Sequence, residues 1–133
     1  MENSILTSTA VLIPALNEAG NMPILLPRLV KLGVGAIIVC DNGSTDDTAR
    51  TASAHGATLV VHEPKRGYGA ACFAGLETMA LMPNSDRLDV VAFLDADLAD
   101  DQDLLPKLVE PIIRGDADIV IGVRSTAGRE SGS

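Results

Sequence analysis

Five short runs of β-branched and aliphatic residues recur along the chain: TAVLIP near 9–14, GAIIVCD near 35–41, ATLVVH near 57–62, LDVVAFLD near 88–95 and ADIVIG near 117–122. Helix-length segments separate them. Strands that are apolar at almost every position are buried on both faces, and strands joined through helices pair in parallel because the helix returns the chain to its starting edge. The predicted fold class is α/β: a three-layer α/β/α arrangement around a mostly parallel, Rossmann-like sheet.

The intervening segments fit the covering layers. Met22, Leu25, Leu26, Leu29 and Val30 fall on one helical face, as do Leu104, Leu105, Leu108, Val109 and Ile112; such stripes pack on a sheet. Ser44 and Asp47 predict a capping pair for a helix containing Ala49 and Ala52, closed by Gly56. Pro27 and Pro111, inside predicted helices, are expected to kink or shorten them. With 133 residues the chain is one domain by size, assigned to residues 1–124, followed by a polar tail, 125–133, expected to be mobile.

Composition narrows the partners. Apolar residues make up 47% but aromatics only 2%, so the core must be aliphatic. Ten Lys and Arg face 18 Asp and Glu, a net charge of -8 without a basic run, which excludes a nucleic-acid partner. The acidic surplus gathers at 41–47 and 86–103, where it would attract cations or a metal-bound anion. Cys40 and Cys72 lack metal-ligand spacing and read as buried, reduced thiols of a cytoplasmic protein. The N-terminal stretch has no signal-peptide pattern, and no apolar run nears the roughly 20 residues that span a bilayer.

In open parallel sheets the ligand crevice lies at the carboxyl ends of the strands, so the polar loops there are the site candidates. The fourth run leads into FLDADLADD, which places Asp95, Asp97, Asp100 and Asp101 within seven residues. Carboxylates that close repel unless screened by water or joined by a cation. Asp95 and Asp97 can present oxygens to one hard ion, and oxygen-only ligation points to Mg²⁺ or Mn²⁺ with open positions for a diphosphate. Asp100, Asp101 and Asp103 read instead as favouring the N-terminus of the next helix.

After the second run, DNGSTDD reads either as a capped strand-turn-helix junction or as a strand tip where Asp41 and Asn42 read the edge of a planar base. After the third, KRGYGAAC sets Lys65 and Arg66 before Gly67 and Gly69; it reads as a Gly-rich helix start with two solvated cations or as a cradle for phosphate or sugar. It is a poor dinucleotide fingerprint, since Cys72 occupies the third glycine position. Asn17 and Glu18 follow the first run, Glu18 as a helix-start acid or a ligand contact. His55 and His62 read as surface or helix-end residues. Arg124, after the last run, is solvated or meets an anion.

Together and in this order, VLIPALNEAGNM, IIVCDNGSTDDT, KRGYGAACFAGL, VVAFLDADLADD and DIVIGVR resemble the family 2 glycosyltransferases of the GT-A fold, most closely the polyprenyl-phosphate and dolichol-phosphate sugar transferases. The resemblance runs from about Val11 to Arg124. It implies that Pro14, Ala15, Asn17 and Glu18 line the nucleotide pocket and that Asp41 with Asn42 forms the base-recognition pair. Asn42 stands where the second Asp is common, which leaves the base open between UDP- and GDP-linked donors. It implies that Asp95 and Asp97 form the catalytic Asp-x-Asp motif, with Asp97 the direct metal ligand, that Lys65, Arg66 and Gly67 flank the donor, and that Arg124 lies near an acceptor phosphate.

The implied reaction is inverting transfer of a sugar from a nucleoside diphosphate to an acceptor, with metal-stabilised charge on the leaving group. A polyprenyl phosphate acceptor at the cytoplasmic face of a membrane would already be anionic, whereas a sugar hydroxyl would call for a carboxylate base. Family members usually continue for about a hundred further residues that supply acceptor and membrane contacts. The chain therefore reads as the donor-binding part, completed by a further segment or a partner subunit; the alternative is a nucleotide- and metal-binding module without turnover. A receiver domain needs clustered acids after its first strand and a Lys after its fifth, and a haloacid-dehalogenase-like phosphatase needs its Asp-x-Asp after the first strand. Neither fits. A nucleotidyltransferase shares the donor architecture but should carry its Gly-rich loop after the first strand.

Overall fold

A computed structural model describes residues 4–83, 88–97 and 105–116. The fifth apolar run, Asp100, Asp101, Asp103, Leu104, Arg124 and the tail 125–133 lie outside the described residues. After a 3₁₀ turn at Ser4–Ser8, strands β1 (Thr9–Ala15), β2 (Ala36–Asp41), β3 (Leu59–His62) and β4 (Val90–Phe93) alternate with helices α1 (Met22–Leu32), α2 (Thr48–Ala54), α3 (Tyr68–Ala80) and α4 (Leu105–Ile113). The strands pair in parallel in the order β3-β2-β1-β4. The layered α/β class expected from the apolar runs is the one found.

The central strands explain why those runs are apolar throughout. All six residues of β2, and all of β1 but half-buried Pro14, are buried. Their side chains alternate between two cores. Val11, Ile13, Ile37 and Val39 meet Met22, Leu25, Leu26 and Leu29 of α1, while Ala10, Leu12, Ile38 and Cys40 meet α3. Each fully buried Leu or Ile contributes about 1.5–3 kcal/mol over its exposed state. On α3, Gly75 allows a close approach: a Cβ there would stand 2.6 Å from Cys40 Sγ and 2.7 Å from Leu12 Cδ2.

The helices depart from expectation at their ends. Both prolines lie inside their helices: α1 runs on from Pro27 to Leu32, and α4 two residues past Pro111. A proline removes one N–H bond, and packing of the apolar face outweighs that loss. Ser44 and Asp47 do not form the expected capping pair. α2 starts only at Thr48, its N-cap Asp47 makes no side-chain cap bond, and Asp46 Oδ1 accepts the Thr48 N–H instead (3.0 Å).

The strand order positions the site. From β1 the chain steps outward through β2 to β3, then α3 crosses to the opposite face and β4 returns beside β1. The order therefore reverses between β1 and β4, which is where a parallel sheet opens a crevice at its carboxyl edge.

Candidate functional site

At the carboxyl edge of the sheet β1 keeps two different companies. It stays paired with β2 up to Ala15 opposite Asp41, but with β4 only up to Leu12 opposite Phe93. One further bond, Leu94 N–H to Leu12 O (3.0 Å), precedes the turn that carries Asp95 and Asp97. Asp95 is half-buried and Asp97 exposed.

The loops after β1 and β2 are stitched together by side chains. Asn17, at a left-handed φ of 56°, accepts the Thr45 N–H (2.8 Å) and, at longer range, the Asp46 N–H and the Thr45 hydroxyl. Its own N–H donates to Ser44 Oγ (2.8 Å). The Glu18 N–H donates to Thr48 Oγ1 (2.9 Å), the Ala19 N–H to Asp46 Oδ2 (3.2 Å), and the Thr48 hydroxyl to Asp46 Oδ1. Glu18 Oε1 accepts from Asn21 Nδ2 (2.8 Å), so this acid is held beside the start of α1. Asn17 thus shapes the rim by bonding the neighbouring loop.

Asp41 and Asn42 are the buried polar pair at the tip of β2, at 6% and 7% exposure. Asp41 Oδ1 accepts the Ser44 N–H (3.1 Å), and Oδ2 lies 3.4 Å from His62 Nδ1. Asn42, expected to read the base, is bonded within the protein: its Nδ2 donates to the carbonyls of Glu63 and Lys65, both at 2.8 Å, and its Oδ1 accepts the Gly67 N–H (3.0 Å). Both amide protons are spent within the protein. Gly67, at φ 122°, is the N-cap of α3, and Gly43, at φ 88°, makes the turn after Asn42. Lys65 and Arg66 are exposed, and Arg66 Nε stands 3.6 Å from where a Gly43 Cβ would be. The structure therefore brings the loops after β1, β2 and β3 together at one edge.

His62 is a surface residue, as expected, with its side chain 71% exposed, and parallel pairing also sets it opposite Asp41. The signal lay in lining up the last residues of the second and third runs, which carry an Asp and a His.

Among the described residues no three His, Cys, Asp or Glu side chains group as a complete metal site. The donors present suit a hard cation completed by a ligand's phosphates and water: two carboxylates on one turn, and thiols held neutral. Burial, with the Cys72 thiol adding to it, pushes Cys40 up to about 11. Cys72 is raised by burial and by the Asp95 carboxylate, against a lowering hydrogen bond with Tyr68. Both cysteines are buried and free, so neither offers a soft thiolate near neutral pH.

The parallel sheet with its reversed strand order and flanking helices is an α/β domain of the GT-A type. The chain belongs to glycosyl transferase family 2, whose model matches residues 10–133. An uncharacterized glycosyltransferase of Mycobacterium tuberculosis is 44% identical over 117 residues, 88% of this chain and 49% of that protein. An undecaprenyl-phosphate 4-deoxy-4-formamido-L-arabinose transferase of Aeromonas hydrophila is 33% identical over 86% of this chain and 36% of its own length. Glucosyl-3-phosphoglycerate synthase from M. tuberculosis, in its complex with Mn²⁺, UDP-glucose and phosphoglyceric acid, superposes with a TM-score of 0.66 at 32% identity, covering 82% of this chain and 40% of that one. The chain spans about half the length of the first of these relatives, or less.

Proposed function

We propose that this domain binds a UDP-sugar at the carboxyl edge of its sheet and serves inverting transfer of the sugar to a phosphate-bearing acceptor. The reading is supported by the topology, which sets Asp41, the Lys65–Arg66 loop and the Asp95–Asp97 turn along one edge of the sheet, in a chain of family 2. The UDP-bound structures of glucosyl-3-phosphoglycerate synthase favour a uracil donor over a guanine one.

Pro14, Ala15 and Glu18 line the nucleoside side, and Asp41, with Ser44 on one oxygen and His62 beside the other, offers a carboxylate to a base N–H. Asn17 and Asn42 hold the loops around them. Lys65 and Arg66, with Gly67 giving backbone access, counter the diphosphate charge. Asp97, with Asp95, would hold Mg²⁺ or Mn²⁺, which when bound supplies charge stabilisation to the departing nucleoside diphosphate. The half-buried Asp95 and exposed Asp97 orient that end of the donor.

For the acceptor we favour an anionic phosphate compound met by Arg124. The relatives named for undecaprenyl phosphate and for 3-phosphoglycerate both point to phosphate, and the polyprenyl phosphate is the preferred candidate. Such an acceptor needs no general base where its phosphate oxygen is the nucleophile. Among the described residues no helix is long and apolar enough to cross a membrane, which fits a cytoplasmic domain that meets a lipid acceptor peripherally.

Calorimetric titration with UDP, GDP, UDP-glucose and GDP-mannose, with and without Mn²⁺, tests the donor reading; Mn²⁺-dependent binding of the uracil ligands is expected. Equal indifference to all four would sink it. Transfer assays offering a polyprenyl phosphate and 3-phosphoglycerate then decide the acceptor.

A further inference from the structure

Asn42 makes a set of bonds that no other side chain of its length can make. It is 7% exposed. Its N–H donates to Ala15 O (2.9 Å), its Nδ2 to Glu63 O and Lys65 O, and its Oδ1 accepts from Gly67 N–H. One residue thereby ties the tip of β1 to the loop between β3 and α3, on both sides of Arg66. The rest of that loop is lightly held: the Lys65 N–H reaches back to Glu63 Oε2 (2.9 Å), and the Glu63 N–H donates to Asp41 O (2.9 Å).

The chemistry of the anchor is specific. Two carbonyls and one N–H converge on it, so it must donate twice and accept once within a single short side chain. Aspartate would keep the Gly67 bond but face two carbonyl oxygens with a negative charge. Alanine would leave two carbonyls and one N–H without partners, each at an unmet desolvation cost. Glutamine carries the right groups one methylene too far out.

We infer that Asn42 is a positioning residue for the diphosphate of the donor: by fixing the carbonyls of Glu63 and Lys65 and the N–H of Gly67, it places the Lys65 and Arg66 cations over the β2–α2 turn. The inference rests on the donor-site reading above and departs from the expectation that Asn42 reads the base. Arg66 Nε, 3.6 Å from the Cβ position of Gly43, marks where the anchored loop leaves that guanidinium. A residue that acts through this loop affects the charged part of a ligand and spares the nucleoside.

The test compares UDP with uridine on the same proteins, at fixed Mn²⁺, by calorimetry. Asn42→Asp is expected to weaken UDP by about tenfold, the size of one charge-assisted contact, and to leave uridine unchanged. Lys65→Ala/Arg66→Ala, at exposed positions that a folded chain tolerates, should give the same selective loss, and adding Asn42→Asp to it should cost no more. The Lys65/Arg66 variant also keeps the idea exposed to refutation should Asn42→Asp not fold. Equal weakening of UDP and uridine by Asn42→Asp would make Asn42 a nucleoside contact and overturn the inference, as would a Lys65/Arg66 variant with unaltered UDP affinity. A wild type that binds neither ligand would overturn the donor reading together with the inference, whereas normal wild-type binding with no selective loss would overturn the inference alone.

Discussion

The two sides of the crevice are built on opposite plans. Where β1 and β2 end, the rim is closed by hydroxyls and amides that satisfy one another: Asn17 with Thr45, Ser44 with the Asn17 N–H, Thr48 with the Glu18 N–H, Asn42 with the loop after β3. Where β4 ends, the chain leaves β1 after one main-chain bond and sets out Asp95 and Asp97 on a short turn. Neutral groups that pair within the protein are complete before any ligand arrives. Like charges brought together gain most when a cation joins them. The first side is thus closed by the protein's own bonds, and on the donor reading proposed above the second would gain from a bound cation.

That contrast is open to breaking from both directions. The double substitution Asp95→Asn/Asp97→Asn is expected to lower Mn²⁺-dependent UDP affinity by at least about 100-fold while leaving the chain folded. Titration and urea denaturation of the same preparation read both outcomes. A variant that unfolds early would show that the turn is part of the scaffold, and the contrast would fall. Asn17→Ala should do the reverse, costing about 2–3 kcal/mol in urea denaturation, because the bonds to Thr45 and Asp46 go and alanine is strained at φ 56°. Asn17→Gly, free of that strain, should recover about 1 kcal/mol of it. If the two variants unfold together, the left-handed backbone is not part of what Asn17 provides.

What the sequence made legible follows the same division. The aliphatic runs announce β1 and β2 because strands buried on both faces have almost no polar position to confuse the pattern, and the strand-loop-helix alternation places the candidate loops at one edge. Side-chain employment within those loops was not legible. Ser44 looks like a helix cap because Asp47 follows three residues later; in the structure it accepts the Asn17 N–H, from 27 residues away, and α2 starts only at Thr48. Asn42 looks like a base reader at a strand tip, yet its partners are main-chain groups 21 to 25 residues downstream. His62 depends on register, which a single strand does not encode. Local patterns report local partners; these residues were claimed by distant ones.

Asp46 is a charged member of this seam, and it gives the smallest and most specific test. Its carboxylate accepts from the Thr48 hydroxyl, the Ala19 N–H and the Thr48 N–H, and these bonds, led by the one from the Thr48 hydroxyl, hold it below its ordinary value against some desolvation. A carboxyl whose folded value is depressed contributes stability that is fully present above its unfolded value and is lost as pH falls through the folded one. Below about pH 4 the wild type should therefore lose stability more steeply than Asp46→Asn, whose amide does not titrate, and the two curves should run parallel at higher pH. Urea midpoints measured from pH 6 downward give the comparison. Parallel curves throughout would mean that the seam holds without the Asp46 charge.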